Sequence, residues 1–245
     1  MPLVAARTRV VAYDRAGIGA SDPFWPLELD AQIDDLAAVI QATGNGASVV
    51  AGHSWGGLLA QLAAMKRPEL IAGLVLLDPA DEKFLATPRE GFGQGIALGN
   101  AVLEQYVRGD LEDTVRDVFG PFAAHLTDDQ QAQAQILDAY AWCYAGLRQA
   151  RMVLGEHELI RDSLPLIRQI REDRLLPDVP VVVLSATTDT QEDERKEWTA
   201  FHADLAASVP RGEHIILADT SHAMNQQRPR EIAAAINDVV EHGRP

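Results

Sequence analysis

The stretch Gly52-His53-Ser54-Trp55-Gly56-Gly57 follows the pattern G-x-S-x-G. The apolar segment 47–51 before it predicts a strand, and segment 58–67 after it predicts a helix. A serine between a strand and a helix is typical of a nucleophile that a sharp, strained turn exposes at the carboxyl edge of a sheet. Ser54 is therefore the candidate nucleophile.

The neighbours of this serine have separate expected roles. Side chains at Gly52 and Gly56 would collide within the tight turn, and Gly57 lets the helix pack closely. We expect His53 to pack or to support the site, because a sequence neighbour points away from the serine hydroxyl. The backbone N–H of Trp55 is the candidate donor to a substrate oxyanion.

A serine hydroxyl needs a histidine to take its proton, and that histidine needs a carboxylate to fix its tautomer. In this architecture the chain order is serine, acid, histidine. His222 fits, because it lies in a loop between the strand-like run 214–218 and a helix that begins at Pro229. The other histidines lie on predicted helices or at the start of a strand. His222 is therefore the candidate base.

Two carboxylates are candidates for the acid. Asp189 is the first acid after the apolar, strand-like run 179–185, although it could instead cap the helix predicted over 191–207. Asp78 ends another apolar run, 74–79, and is the alternative acid. We predict Asp189 as the partner of the histidine, on motif context.

Together these motifs resemble the α/β-hydrolase superfamily, in its esterase and haloperoxidase-like branch. Segment 13–22 resembles the D-R-x-G-x-G-x-S loop after the family's fourth strand, and 52–57 resembles its nucleophile elbow. Segment 181–189 resembles its seventh strand and acid loop, and Ser221-His222 stands where members usually have Gly-His. The resemblance implies an α/β fold with a mostly parallel sheet flanked by helices and an inserted helical lid.

The chain departs from the family pattern near its beginning. Members usually carry an upstream strand and a His-Gly loop whose backbone N–H completes the oxyanion hole, and no His-Gly motif precedes Tyr13. The family's third strand would lie between its fourth and fifth. We therefore expect either that 9–13 shifts to pair with 48–52, or that this chain is a piece of a longer product.

Strand and helix alternate up to Pro79 and again after Pro180, but not between them. We predict a hydrolase core from 1–79 and 179–245, with a helical lid from 80–178. The acidic run 189–197 is expected to be a solvated helix face.

The composition narrows the possible partners. A balance of 21 basic and 36 acidic residues gives a net charge of −15, which argues against nucleic acid and anionic membranes as partners.

No apolar run is long enough to span a membrane and no signal peptide is visible, so we expect a cytoplasmic location. Cys143 is the only cysteine, which excludes an intramolecular disulfide and a cysteine metal cluster. We infer no metal and no cofactor.

The sequence thus predicts a serine hydrolase with a small-molecule, ester-like substrate, which acts through Ser54, Asp189 and His222. The alternative is a non-catalytic or impaired ligand-binding protein of the same fold, because fold alone does not decide function.

Overall fold

The structure is a computed structural model. It describes residues 2–22, 25–44, 46–86, 100–126, 128–188 and 191–243. The chain divides into two compact units, the first from 1–12, 33–87 and 164–245 and the second from 13–32 and 88–163.

The first unit contains a four-stranded parallel sheet, and its strands lie side by side in chain order. The strands are β1 (Ser48–His53), β2 (Ile71–Leu77), β3 (Val181–Ser185) and β4 (Gly212–Ile216). Each overlaps a run that predicted a strand, although β4 begins and ends two residues before the predicted run 214–218. Because Leu77 pairs with both His53 and Leu184, the carboxyl ends of the first three strands meet at one edge of the sheet.

Helices account for most of the remaining described residues. They are α1 (Pro2–Ala5), α2 (Leu29–Thr43), α3 (Trp55–Lys66), α4 (Glu82–Ala86), α5 (100–108), α6 (Leu111–Leu126), α7 (Gln130–Tyr144), α8 (Leu147–Asp173), α9 (Glu192–Ala207), α10 (Met224–Gln227) and α11 (Pro229–His242), with a 3₁₀ turn at Pro68–Leu70. None of these helices combines the length and apolar composition that crossing a bilayer requires, within the part of the chain that the structure describes.

The core of the first unit lies around β2 and β3, whose residues are almost all buried. On one face, Val75 and Leu184 join a cluster with Ile232 and Val239 of α11. On the other face, Ser185 contacts α9, since successive strand residues point to opposite faces. Helices therefore flank both faces of the parallel sheet, as the family resemblance implied.

Residues 9–13 do not form a strand, and among the described residues β1 pairs only with β2. The pairing of 9–13 with 48–52 that we considered is therefore absent. The segment is exposed instead, with Val11 at 45% and Tyr13 at 36% of their full accessible surface.

The second unit holds the loop that resembles the D-R-x-G-x-G-x-S motif. The Asp14 carboxylate accepts a hydrogen bond from the Ala20 backbone N–H at 3.0 Å, and Arg15 forms an ion pair with Glu156 of α8. Gly19 has a positive φ of 53°, and a Cβ there would overlap the Asp14 carboxylate. The described part of segment 80–178 contains helices and no strand, and its role as a lid stays a prediction.

Candidate active site

Ser54 occupies the turn between β1 and α3 and has a strained backbone, with φ 51° and ψ −121°. Positive φ is unfavourable for a residue with a side chain and is concentrated at functional sites. The Ser54 N–H donates to Leu77 O at 3.0 Å, and Ser54 O accepts from the N–H of Gly57, Leu58 and Ala80. These bonds from neighbouring segments hold the turn in a conformation that an isolated chain would avoid.

At two of the three glycines of the turn, Gly52 and Gly57, a side chain would come too close to neighbouring atoms. A Cβ at Gly52 would lie 2.3 Å from Gly56 O, and a Cβ at Gly57 would lie 2.8 Å from the Pro79 Cβ. The expectation for Gly56 was wrong, because a Cβ there meets no atom within 4 Å. Gly52 therefore permits the turn, and Gly57 permits α3 to pack against the segment that follows β2.

Asp78 follows β2 directly and is completely buried, at 0% exposure. Its Oδ1 accepts a hydrogen bond from the Ala186 N–H at 3.0 Å, and Nη1 of Arg195 lies 3.0 Å from both of its carboxylate oxygens. Asp78 also has a positive φ, of 42°. This charge can remain buried because several donors surround it.

His222 lies beside this carboxylate, with Nδ1 2.7 Å from Asp78 Oδ2. Because an ionised carboxylate only accepts hydrogen bonds, Nδ1 carries the proton and Nε2 of the neutral ring is left as the basic nitrogen. The His222 side chain is 33% exposed. The ring is thus oriented by a buried acid and stays accessible to solvent.

The environment of Asp78 keeps it ionised. Burial alone would raise its pKa, but hydrogen bonds from His222 and Ala186 and the charge of Arg195 outweigh burial and lower the pKa to about 2. Asp78 therefore carries its negative charge throughout the neutral pH range.

The loop that carries His222 is held from two sides. The Nε2–H of His53 donates to the His222 backbone O at 2.7 Å, and the two rings lie 4.4 Å apart between centroids. Burial, together with the neighbouring His222, lowers the pKa of His53. Arg228 donates to Thr220 Oγ1 at 2.9 Å and to Ala218 O at 2.9 Å. His53 therefore acts as a support for the loop, in line with its expected role.

Behind Asp78 lies a polar network that the sequence analysis did not include. His202 Nε2–H donates to Pro79 O at 2.8 Å, so its Nδ1 accepts from Ser185 Oγ–H at 2.7 Å. Ser185 Oγ in turn accepts from His214 Nε2–H at 2.8 Å. Burial lowers the pKa of both His202 and His214. All three of these hydrogen bonds can form with both imidazole rings neutral.

Four site residues from the sequence analysis, the alternative acid Asp78 among them, lie in the described part of the first unit, and one does not. Ser54 and His222 lie in the turn and loop expected for them, and Trp55 begins α3 with only 6% of its surface exposed. Asp189 lies outside the described residues. The carboxylate that contacts His222 in the described structure belongs to the alternative acid, Asp78.

Arg195 is a site residue that sequence reasoning missed. It lies within the acidic run 189–197, which was expected to be a solvated helix face, yet it is only 6% exposed. The sequence did carry one signal for this role, because Arg195, Trp198 and His202 recur at helical intervals and share one side of α9.

Within the described ranges, no group of three histidine, cysteine or acidic side chains is arranged to hold a metal ion.

Comparison with known proteins agrees with this architecture. A family model described as alpha/beta hydrolase family matches residues 1–235. Lipase LipV of Mycobacterium tuberculosis is 45% identical over 71 residues, a match that spans 29% of this chain and only 27% of the lipase. The protein RutD of Pantoea ananatis is 25% identical over 232 residues, which cover 94% of this chain and 77% of RutD.

Solved structures share the fold. A thermophilic esterase from Thermogutta terrifontis aligns with a TM-score of 0.62 and 22% identity, over 95% of this chain and 79% of the esterase. At this identity the likeness concerns the fold alone. With the family match over most of its length, the chain belongs to the alpha/beta hydrolase family.

Proposed function

We propose that this hydrolase cleaves a small carboxylic ester, or a related acyl substrate, through a Ser54–His222–Asp78 triad and an acyl-enzyme. The observation that carries the proposal is the 2.7 Å hydrogen bond between His222 Nδ1 and the buried Asp78 carboxylate. The same unit holds Ser54 at a strained turn between β1 and α3. A nucleophile, a base and an orienting acid are the parts that serine-based acyl transfer requires.

In the first step Ser54 Oγ forms a bond to the substrate carbonyl carbon, while His222 Nε2 takes the hydroxyl proton. Asp78 stabilises the resulting imidazolium and remains ionised, which its low pKa favours. The carbonyl oxygen becomes an oxyanion. The Trp55 backbone N–H, at the first position of α3, is the proposed donor to it, where the partial positive charge of the helix N-terminus adds to its effect.

In the second step the bond to the leaving alcohol breaks, and His222 returns its proton to the alcohol oxygen. A water oxygen then forms a bond to the acyl carbon while His222 takes a proton from the water, the bond between that carbon and Ser54 Oγ breaks, and His222 passes the proton to Ser54 Oγ. The acid and the alcohol are the products, so the cycle needs no co-reactant besides water.

We infer Asp78, rather than Asp189, as the triad acid. Asp78 is fully buried and ionised, and its carboxylate accepts a hydrogen bond from His222. The ester class is supported by a relative named as a lipase. Amide and lactone substrates would use the same three residues.

Hydrolysis of a series of 4-nitrophenyl esters, from acetate to longer acyl chains, tests this function. We expect turnover by the wild type and loss of at least about 10³-fold in kcat for Ser54→Ala. Ser208→Ala is the matched control, because Ser208 is exposed after the end of α9, where its hydroxyl donates a hydrogen bond to Leu205 O in its own turn. Full activity of Ser54→Ala would contradict the proposal. Binding of the esters without any hydrolysis would favour the non-catalytic alternative.

A further inference from the structure

Helix α9 directs three side chains at the turn that follows β2. Arg195 contacts the Asp78 carboxylate, Trp198 Nε1–H donates to Pro79 O at 2.9 Å, and His202 Nε2–H donates to the same oxygen at 2.8 Å. The three residues lie on one side of the helix because they are three and four positions apart. This side of α9 therefore holds the segment that carries the proposed triad acid.

The Arg195 guanidinium is fixed by more than its ion pair. Its Nη2 donates to Thr188 O at 3.2 Å, and its Cζ lies 5.0 Å from the centre of the Trp198 ring. The Trp198 ring in turn lies 5.4 Å from the His222 ring. The cation is thus held close to both Asp78 and His222.

We propose that Arg195 is a positioning residue for catalysis, one that fixes the orientation of the Asp78 carboxylate and offsets its charge, and so sets the pH range in which His222 can act as a base. The proposal rests on the proposed function for its catalytic meaning. The underlying interaction, in which the charge of Arg195 acts on His222 through Asp78, can be tested without any substrate.

The direction of the effect follows from the charges. His222 faces a carboxylate whose charge is largely balanced by a guanidinium, and a lone carboxylate would favour the imidazolium form more strongly. The Arg195 Nη1 and His222 Nδ1 atoms both contact Asp78 Oδ2, so they are at most about 6 Å apart, within range of a strong coulombic interaction at low dielectric. Removing the cation should therefore favour protonated His222.

Other titratable groups also face this pair, and the substitutions at Arg195 do not replace them. His53 lies against His222 from β1, with ring centroids 4.4 Å apart. His202 Nδ1 lies 3.9 Å from Asp78 Oδ1, whereas His222 Nδ1 contacts Oδ2. Because these groups are common to the wild type and the variants, a difference in titration reports the charge at position 195.

A purely structural role makes a different prediction. Loss of a buried ion pair would lower the melting temperature, but it would leave the pH at which His222 titrates unchanged. Arg171→Met is the matched control, because Arg171 pairs with the buried Glu82 at 2.7 Å in the same unit and makes no contact with Asp78 or His222 in the described contacts. It should cost stability without moving the titration.

The experiment follows the His222 ring protons by NMR from pH 4.5 to 9, with the signal assigned from its loss in His222→Asn. We expect Arg195→Met, and Arg195→Gln as a second variant if Met fails to fold, to shift the titration to higher pH by about one unit. Arg195→Lys should restore much of the wild-type midpoint, since it keeps the charge. The acid limb of kcat/KM should move by the same amount.

The outcomes separate the two proposals. A titration of His222 that is identical in wild type, Arg195→Met and Arg195→Gln overturns the role of Arg195, whether or not the protein hydrolyses esters. A wild type without hydrolysis contradicts the proposed function, while a shifted titration would still support the coupling of Arg195 to His222. A shift of equal size in Arg171→Met would also overturn the proposal.

Discussion

The Nδ1 atom of His222 lies 2.7 Å from Oδ2 of Asp78, a carboxylate with no exposed surface. The two residues are 144 positions apart in the chain. The sheet brings them together because Asp78 follows β2, His222 lies in the loop after β4, and the carboxyl ends of these parallel strands lie at the same edge. The hydrogen bond leaves Nε2 as the basic nitrogen of the ring.

We predict that Asp78→Asn lowers kcat by about 10⁴-fold, because an amide can donate to Nδ1 and so favour the wrong tautomer of His222. Steady-state hydrolysis of a 4-nitrophenyl ester measures the change. Asp219→Asn is the matched control, since Asp219 is exposed in the same loop and has a positive φ of 51° that asparagine tolerates. Asp189→Asn should have a far smaller effect than Asp78→Asn, and the reverse order would assign the acid to Asp189.

Alanine substitutions at Gly52 and Gly56 form a matched pair that tests how tightly the turn at Ser54 is packed. Gly52→Ala should lower the free energy of unfolding by about 2 kcal/mol or more, because its Cβ would overlap Gly56 O. Gly56→Ala should be tolerated, because a Cβ there meets open space and alanine favours a helix. Thermal unfolding of both variants measures the difference. Equal losses of stability in the two would show that the turn is not restricted in this way.

We predict that His53→Ala lowers kcat by about 10-fold to 10²-fold without abolishing turnover. The variant loses the hydrogen bond to the His222 backbone O, so the base is held less firmly while the triad stays complete. His53→Gln, whose side-chain amide can still donate, should recover part of the rate. Complete loss of activity in His53→Ala, with the protein still folded, would instead give His53 a direct chemical role.

Stability should fall as the pH drops from about 7 to 5. Burial lowers the pKa of His202 below its ordinary value of 6.5, so the unfolded chain binds a proton that the folded chain excludes. The stabilisation is present above pH 6.5 and is lost as the pH falls through that value towards the lower pKa of the folded state. The stabilisation that comes from Asp78, whose pKa is lowered from 3.8 to about 2, is present above about pH 4 and is lost only as the pH falls below that value.

Calorimetric melting temperatures at several pH values test this expectation. His202→Gln should be less stable at neutral pH, because it loses the bonds to Ser185 and Pro79, but its melting temperature should depend less on pH between 7 and 5. His157→Gln, in the second unit, is the control and should keep the wild-type slope. An unchanged slope in His202→Gln would place the pH sensitivity elsewhere.

Much of the fold could be predicted because its signals are local. Residues 74–77 and 179–184 are continuously apolar, as is typical of strands covered on both faces, and they lie in or next to β2 and β3. The turn at Ser54 was readable because a strand precedes it and a helix follows. For β2 and β3 the pattern that predicts the strand is the same pattern that buries it.

The choice of acid could not be predicted in this way. Asp78 and Asp189 both follow strands whose carboxyl ends lie at one edge, so either position could reach His222. The structure adds what the pattern lacks, namely the burial of Asp78 and its bond to Nδ1. Arg195 was hidden for a related reason, because a buried arginine is recognisable only beside the carboxylate that compensates its charge.

The most direct test of the account is labelling of the purified chain with a fluorophosphonate probe, followed by peptide mass spectrometry. We predict a covalent adduct on Ser54 in the wild type, no adduct in Ser54→Ala, and much slower labelling in Asp78→Asn. Labelling of Ser208→Ala should match the wild type. Absence of an adduct on Ser54 in a chain that is folded by circular dichroism would contradict the claim that Asp78 and His222 activate this serine.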